Sequence, residues 1–128
     1  MAAKKETLAN AFLNAALRGA TYTGSTTVYC ALFTTAPTAV TAGVEVAGGG
    51  YMRMLVTFHV AVAGATANVS AITFPPATAP WGNVMAAVLF DASTGGNQLY
   101  FGNLAVPKTV SIGDQLSFAA EALAVTEA

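Results

Sequence analysis

Charge is what this chain has least of. Of its 128 residues, 9% are Asp, Glu, Lys or Arg, against about 25% in an ordinary globular domain. Between Met54 and Phe90 there is none. No cluster of Lys and Arg is available to neutralise a phosphate backbone, so no nucleic-acid partner is expected. The single cysteine, Cys30, excludes an internal disulfide and a cysteine-built metal cluster. No uncharged stretch reaches the roughly 20 apolar residues of a spanning helix, because Thr, Asn, Ser, Gly and Pro interrupt each one. Two lysines ahead of apolar residues resemble the start of a signal peptide. Glu6, Asn10, Asn14 and Arg18 break the apolar region that would have to follow. Neither a membrane partner nor export is expected.

What is present is apolar. Hydrophobic residues make up 55% of the chain, the mean hydropathy is +0.58 and the net charge is −1. Soluble monomers carry a mixed, charged surface with a net charge away from zero. Part of this surface is therefore expected to be buried against other chains. The length suits one domain, 1–128, which buries about two-thirds of its extended surface without a metal or disulfide.

Residues 4–18 read as a helix. Leu8, Phe12 and Ala16 recur at i, i+4 and i+8, with Ala9, Leu13 and Leu17 widening the stripe, and Gly19 closes it. The stretch from Thr27 to Thr34 is apolar on both alternating faces and must be covered on both sides. The helix can cover one of them or dock on a neighbouring subunit, and a second sheet or a neighbouring subunit is expected over the other. Pro37 blocks its extension. Val44 to Val46 reads as a short edge strand, and Gly48 to Gly50 as a flexible connection. Tyr51 to Val60 alternates, with Met52, Met54, Val56, Phe58 and Val60 on the face expected to be buried. Residues 61–68 read as a loop, Val69 to Phe74 as a strand and 75–80 as a stiff connector. Trp81 to Phe90 is apolar on both faces and reads as internal. Asp91 to Asn97 is a hairpin turn, its Gly95-Gly96 pair suited to positive φ. Gln98 to Val106 returns and Pro107-Lys108 ends it. Ser111 to Asp114 turns into Leu116 to Val125, which its Ala and Leu content allows as a helix and the preceding Gly-Asp turn favours as a strand. One helix and roughly six to eight strands at short intervals indicate an all-β fold, a jelly-roll-like β-sandwich over 26–126 or a barrel.

Catalysis is not expected. His59 would have to combine with Asp91 or Asp114 in a triad, and no Gly-x-Ser-x-Gly elbow is present. Asp91 and Asp114 both sit in turns, where Asp bonds its own backbone. Cys30 is expected to be a buried, inert thiol. Arg53 is expected to pair with Glu45 as a surface ion pair worth about 0–1 kcal/mol. No cofactor and no metal are expected.

The blocks LNAALRGATYTGSTTVYCALFTTAPT, GGGYMRMLVTF, ITFPPATAPWGNV, FDASTGGNQLYFGNL and KTVSIGDQLSF resemble small tailed-phage virion proteins, from Leu13 to Val125. Such proteins are described as tail-fibre proteins, and some decorate heads. The resemblance implies no catalytic residue. It matches Gly48 to Tyr51, Trp81-Gly82, Gly95-Gly96 and Gly113-Asp114 and varies around 37–47 and 61–68, which makes those loops contact surfaces. It implies a virion structural protein made in the host cytoplasm. The first reading is a capsid decoration (cement) protein on the capsid exterior, bound to the major capsid protein and to copies of itself, as in a trimer. The alternative is a tail-fibre or baseplate module facing a host-surface receptor. Candidate contact residues are Leu8, Phe12, Pro37, Val40, Val44, Val62, Pro76 and Trp81.

Overall fold

Two strands carry the architecture. In the computed structural model, which describes residues 3–127, β2 (Val28–Thr35) lies antiparallel to β7 (Gly82–Phe90). Large residues face small ones across this pair, Leu32 opposite Ala87 and Phe33 opposite Ala86, which lets a double-sided core pack without voids. Cys30, Ala31, Leu32 and Phe33 are all buried, so both faces of β2 are covered as its pattern requires.

The full sheet runs β1 (Ala3–Lys4), β8 (Gln98–Val110), β7, β2, β3 (Val44–Glu45), with β4 (Met54–Val56) also on β2. Two small antiparallel ladders lie apart from it. One joins β5 (Ala65–Ala67) to β10 (Ala124–Thr126), the other β6 (Ile72–Thr73) to β9 (Ser117–Phe118). The fold is all-β with one helix, as expected, and the sheets do not close into a barrel. The second layer is two separate ladders and their loops rather than one continuous sheet. Ile72, Phe74, Trp81, Leu116, Leu123 and Val125 bring it onto Cys30, Leu32, Ala87 and Leu89.

The opposite face of the sheet forms a smaller cluster of Ala31, Phe33, Ala86, Val88 and Phe90. Its cover differs from the expectation. Ala36 and Phe101 pack on it, and no side chain of the helix joins it. The loop leaving β2 is instead strapped down at several points. Lys5 donates through Nζ to the carbonyls of Thr38 and Thr41, and Gln98 donates through Nε2 to that of Ala42.

The helix α1 spans Glu6–Arg18, not 4–18. Lys4 belongs to β1, and Lys5 is the extended residue before the first turn. No side chain caps that turn; the Glu6 N–H finds the Ala39 carbonyl at 3.0 Å. Gly19 closes the helix at φ 71°, the left-handed conformation a side chain would resist. Only Leu8 is buried, and Leu17 is 77% exposed. The outer end of the apolar stripe therefore faces away from the core.

Four further expectations change. Tyr51 to Val60 is a strand only over Met54–Val56, and Met52 and Val60 are exposed rather than buried. The 61–68 loop contains β5. Leu116 to Val125 is two strands, separated by a turn in which Glu121 takes φ 65°. Pro107 does not end its strand: β8 continues to Val110. The register moves from Ala86 opposite Asn103 to Val84 opposite Lys108. Residues 104–107 thus bulge against Met85, and a proline is tolerated at a bulge because no ladder N–H is needed there.

Candidate functional site

The scarce charges are mostly spent inside the fold. Arg53, its side chain only 8% exposed, forms a two-pronged pair with Glu45, Nε to Oε2 and Nη2 to Oε1, both at 2.9 Å. Its Nη1 donates to the carbonyls of Ala92 and Gly95, and its guanidinium lies 3.5 Å from the centre of the Phe90 ring. The Glu45–Arg53 pair was expected, but not its burial: it locks the β7–β8 hairpin to β3 rather than decorating a surface. Tyr51 completes it, donating to Glu45 Oε2 at 2.6 Å and accepting the Leu32 N–H at 3.0 Å. Burial opposes ionisation of Glu45. The hydrogen bonds from Arg53 and Tyr51, with the Arg53 charge, outweigh it and hold the carboxyl below its ordinary value. Burial, then the bond to Glu45, pushes the Tyr51 hydroxyl up.

Gly48 to Gly50 is a fixed turn rather than a flexible connection. All three glycines have positive φ, and the Gly49 carbonyl accepts the Trp81 indole N–H at 2.8 Å. A Cβ on Gly49 would stand 2.9 Å from the Trp81 ring. Tyr51 stacks on Phe74 and meets Trp81 edge-on.

Other charges are similarly engaged. Lys4 pairs with Glu127, which also accepts from the Tyr100 hydroxyl at 2.5 Å. The Asp91 carboxylate receives the Asn97 N–H at 2.7 Å, and that of Asp114 the Ser111 N–H at 2.9 Å. Among the described residues, only Glu6, Arg18 and Lys108 have neither an ion pair nor a side-chain hydrogen bond.

The residues weighed for catalysis are not brought together. His59 is exposed, outside any strand, and faces Glu121 at 3.5 Å. Asp91 and Asp114 are occupied in their own turns. Cys30 is buried, and burial pushes its thiol up to about 12, far from a reactive thiolate. Among the described residues no group of three or more His, Cys, Asp or Glu is placed to hold a metal, and no helix is long and apolar enough to cross a membrane.

The candidate contact residues divide. Leu8, Pro37 and Trp81 are buried within the chain. Their apolar character belongs to the core, which sequence pattern alone does not distinguish from an interface. Phe12 is half-buried against Tyr22 and beneath the Lys4 ammonium. Val40, Val44, Val62 and Pro76 are exposed. Leu13, Leu17 and Val60 are exposed too, though the pattern placed them on buried faces. Val60 and Val62 lead into a charge-free turn closed by the Val62–Ala65 bridge.

Asn68 gave no signal in the sequence. It is fully buried and uses both amide hydrogens, to the carbonyls of Ser70 and Ala119, while its Oδ1 accepts the Leu123 N–H. It pins the connection between β9 and β10 to the start of the β6 segment.

No curated protein matches the chain. One family does, over residues 3–126, nearly the whole length. Its members are described as Podophage GP4 fiber I protein gp80, and the chain belongs to that family of bacteriophage fibre proteins.

Proposed function

We propose that this chain is a fibre subunit in the tail of a podophage particle, a structural component of the virion. The family match over residues 3–126 carries the reading. The chemistry of the surface supports it. Charges are consumed within the fold, and apolar side chains such as Leu13, Leu17, Val40, Val60 and Val62 are left outward. Such a surface suits association with neighbouring virion subunits, copies of itself included. The role is structural and adhesive rather than catalytic, with a host-surface receptor as the distal partner.

Capsid decoration, with the major capsid protein as partner, has less behind it, since the family description names a fibre. Antibody labelling of purified particles in the electron microscope, with quantitative mass spectrometry, separates the two. Label on the tail at low copy number is the expected result. Label over the head, at a copy number near that of the major capsid protein, would establish decoration instead. Absence from washed particles would end the virion reading altogether.

A further inference from the structure

A cleft of about 330 Å³ opens where the first half of α1 meets the segment before β2 and the β7–β8 hairpin. Its size is at the low end for small-molecule sites. Leu8, Ala11 and Leu99 give it an apolar wall, and no Lys, Arg or His lines it. The polar lining is hydroxyls and amides with a single carboxylate, that of Asp91. One carboxylate in the lining and no lining cation disfavour phosphates and carboxylates, which are bound through Arg, Lys or clustered N–H donors. Hydroxyls, amides and one fixed carboxylate match a neutral ligand with many hydroxyl groups.

Three features fix the arrangement. Tyr22 meets Phe12 edge-on, with ring centres 5.0 Å apart and planes at 80°, and remains 40% exposed. Its ring offers an apolar face beside a polar tip, which suits the C–H face of a sugar ring. Asp91 is held by the Asn97 N–H at 2.7 Å and the Asn97 Nδ2 at 3.1 Å. A carboxylate has about four acceptor positions, so these bonds leave room to accept from neighbouring hydroxyls. Gly96, at φ 72°, lets the loop close on that carboxylate, since a Cβ there would lie 2.5 Å from Asp91 Oδ1. Ser25 also lines the cleft, and its hydroxyl donates to the Thr27 carbonyl.

Gln98, also in the lining, spends its Nε2 on the Ala42 carbonyl. Locking the hairpin would alone account for the Asp91–Asn97 contact. It does not account for an exposed aromatic ring and an apolar wall lining the same cleft as that carboxylate.

We propose that this cleft binds a neutral saccharide, one or two sugar rings in size, with Tyr22 as the stacking surface and Asp91 and Asn97 as hydroxyl partners. The proposal rests on the cleft alone and holds whether the chain sits on the tail or the head. The test is NMR of the isotope-labelled chain titrated with D-glucose, D-galactose, D-mannose and N-acetyl-D-glucosamine, with glucuronate and inorganic phosphate as charged comparators. Saturable shifts with at least one neutral sugar are expected at the Tyr22, Ser25, Asn97 and Leu99 amides, with a Kd of about 1–10 mM. Tyr22→Ala should weaken that binding about tenfold. Should that variant change the fold, the shift map of the unaltered chain decides alone. Absence of saturable shifts with every neutral sugar, shifts mapping elsewhere, or glucuronate binding as tightly as glucose would overturn the proposal.

Discussion

Asn68→Ala should be among the most damaging single substitutions in this chain. The side chain makes three buried hydrogen bonds, to Ser70 O at 2.8 Å, Ala119 O at 3.0 Å and from Leu123 N at 2.9 Å. Each is worth roughly 1 kcal/mol net, and leaving the Leu123 N–H buried and unpaired adds about 1–3 kcal/mol. The expected loss is about 4 kcal/mol, which at this chain length lowers Tm by about 10–20 °C. Trp81, the only tryptophan and a buried one, reports unfolding directly by its fluorescence in urea. The midpoint should fall with little change in slope, because a similar surface is exposed. Amide exchange at Leu123 should accelerate before the rest of the sheet. Asn68→Asp sharpens the test. It keeps the acceptor for Leu123 but sets a carboxylate against two carbonyls. It should therefore be at least as destabilising as alanine at neutral pH and recover as the new carboxyl protonates in acid. A loss below about 1 kcal/mol for Asn68→Ala, with Leu123 exchange unchanged, would refute the claim that this side chain pins the β9–β10 connection.

The Glu45–Arg53 pair predicts an acid dependence. The Glu45 carboxyl is held low in the folded chain. Its stabilisation is therefore full above the unfolded value of about 4.3 and is lost as pH falls through the depressed folded value. Glu45→Gln should remove that part of the acid dependence in urea titrations run across pH. It should also cost about 1–3 kcal/mol at neutral pH, discounted because the side chain is 25% exposed. Gly49→Ala and Gly48→Ala separate strain from contact, since both glycines have positive φ but only at Gly49 would a Cβ meet neighbours, the Ala79 carbonyl oxygen at 2.8 Å and the Trp81 ring at 2.9 Å. Gly48→Ala should cost about 1–2 kcal/mol for its backbone alone. Gly49→Ala should cost about 2–4 kcal/mol and shift Trp81 emission. Equal losses at the two positions would show that the ring contact carries no energy.

Much of the sheet was legible because alternation is a local property. β2 and β7 are apolar at successive positions, and a strand of that kind has to be covered on both faces. The Gly95-Gly96 turn was legible from backbone freedom, and the Glu45–Arg53 pairing from the scarcity of other charges. Pro107 misled because its tolerance depends on a bulge, and a bulge is a relation between two strands. Asn68 was illegible because two of its three partners, Ala119 and Leu123, lie on the distant β9–β10 connection.

The candidate surface shows the same division. Residue type marked Leu8, Trp81, Val40 and Val62 alike as apolar, and tertiary packing alone set the first two inside and the last two outside. The saccharide cleft joins residues from α1, the segment before β2 and the hairpin, which no single window of sequence contains. The sequence by itself determined an all-β chain with few charges and no internal disulfide, since those follow from residue counts and short-range periodicity. The tertiary structure decided where the charges went and which apolar side chains face outward, because burial and pairing arise between segments far apart in the chain.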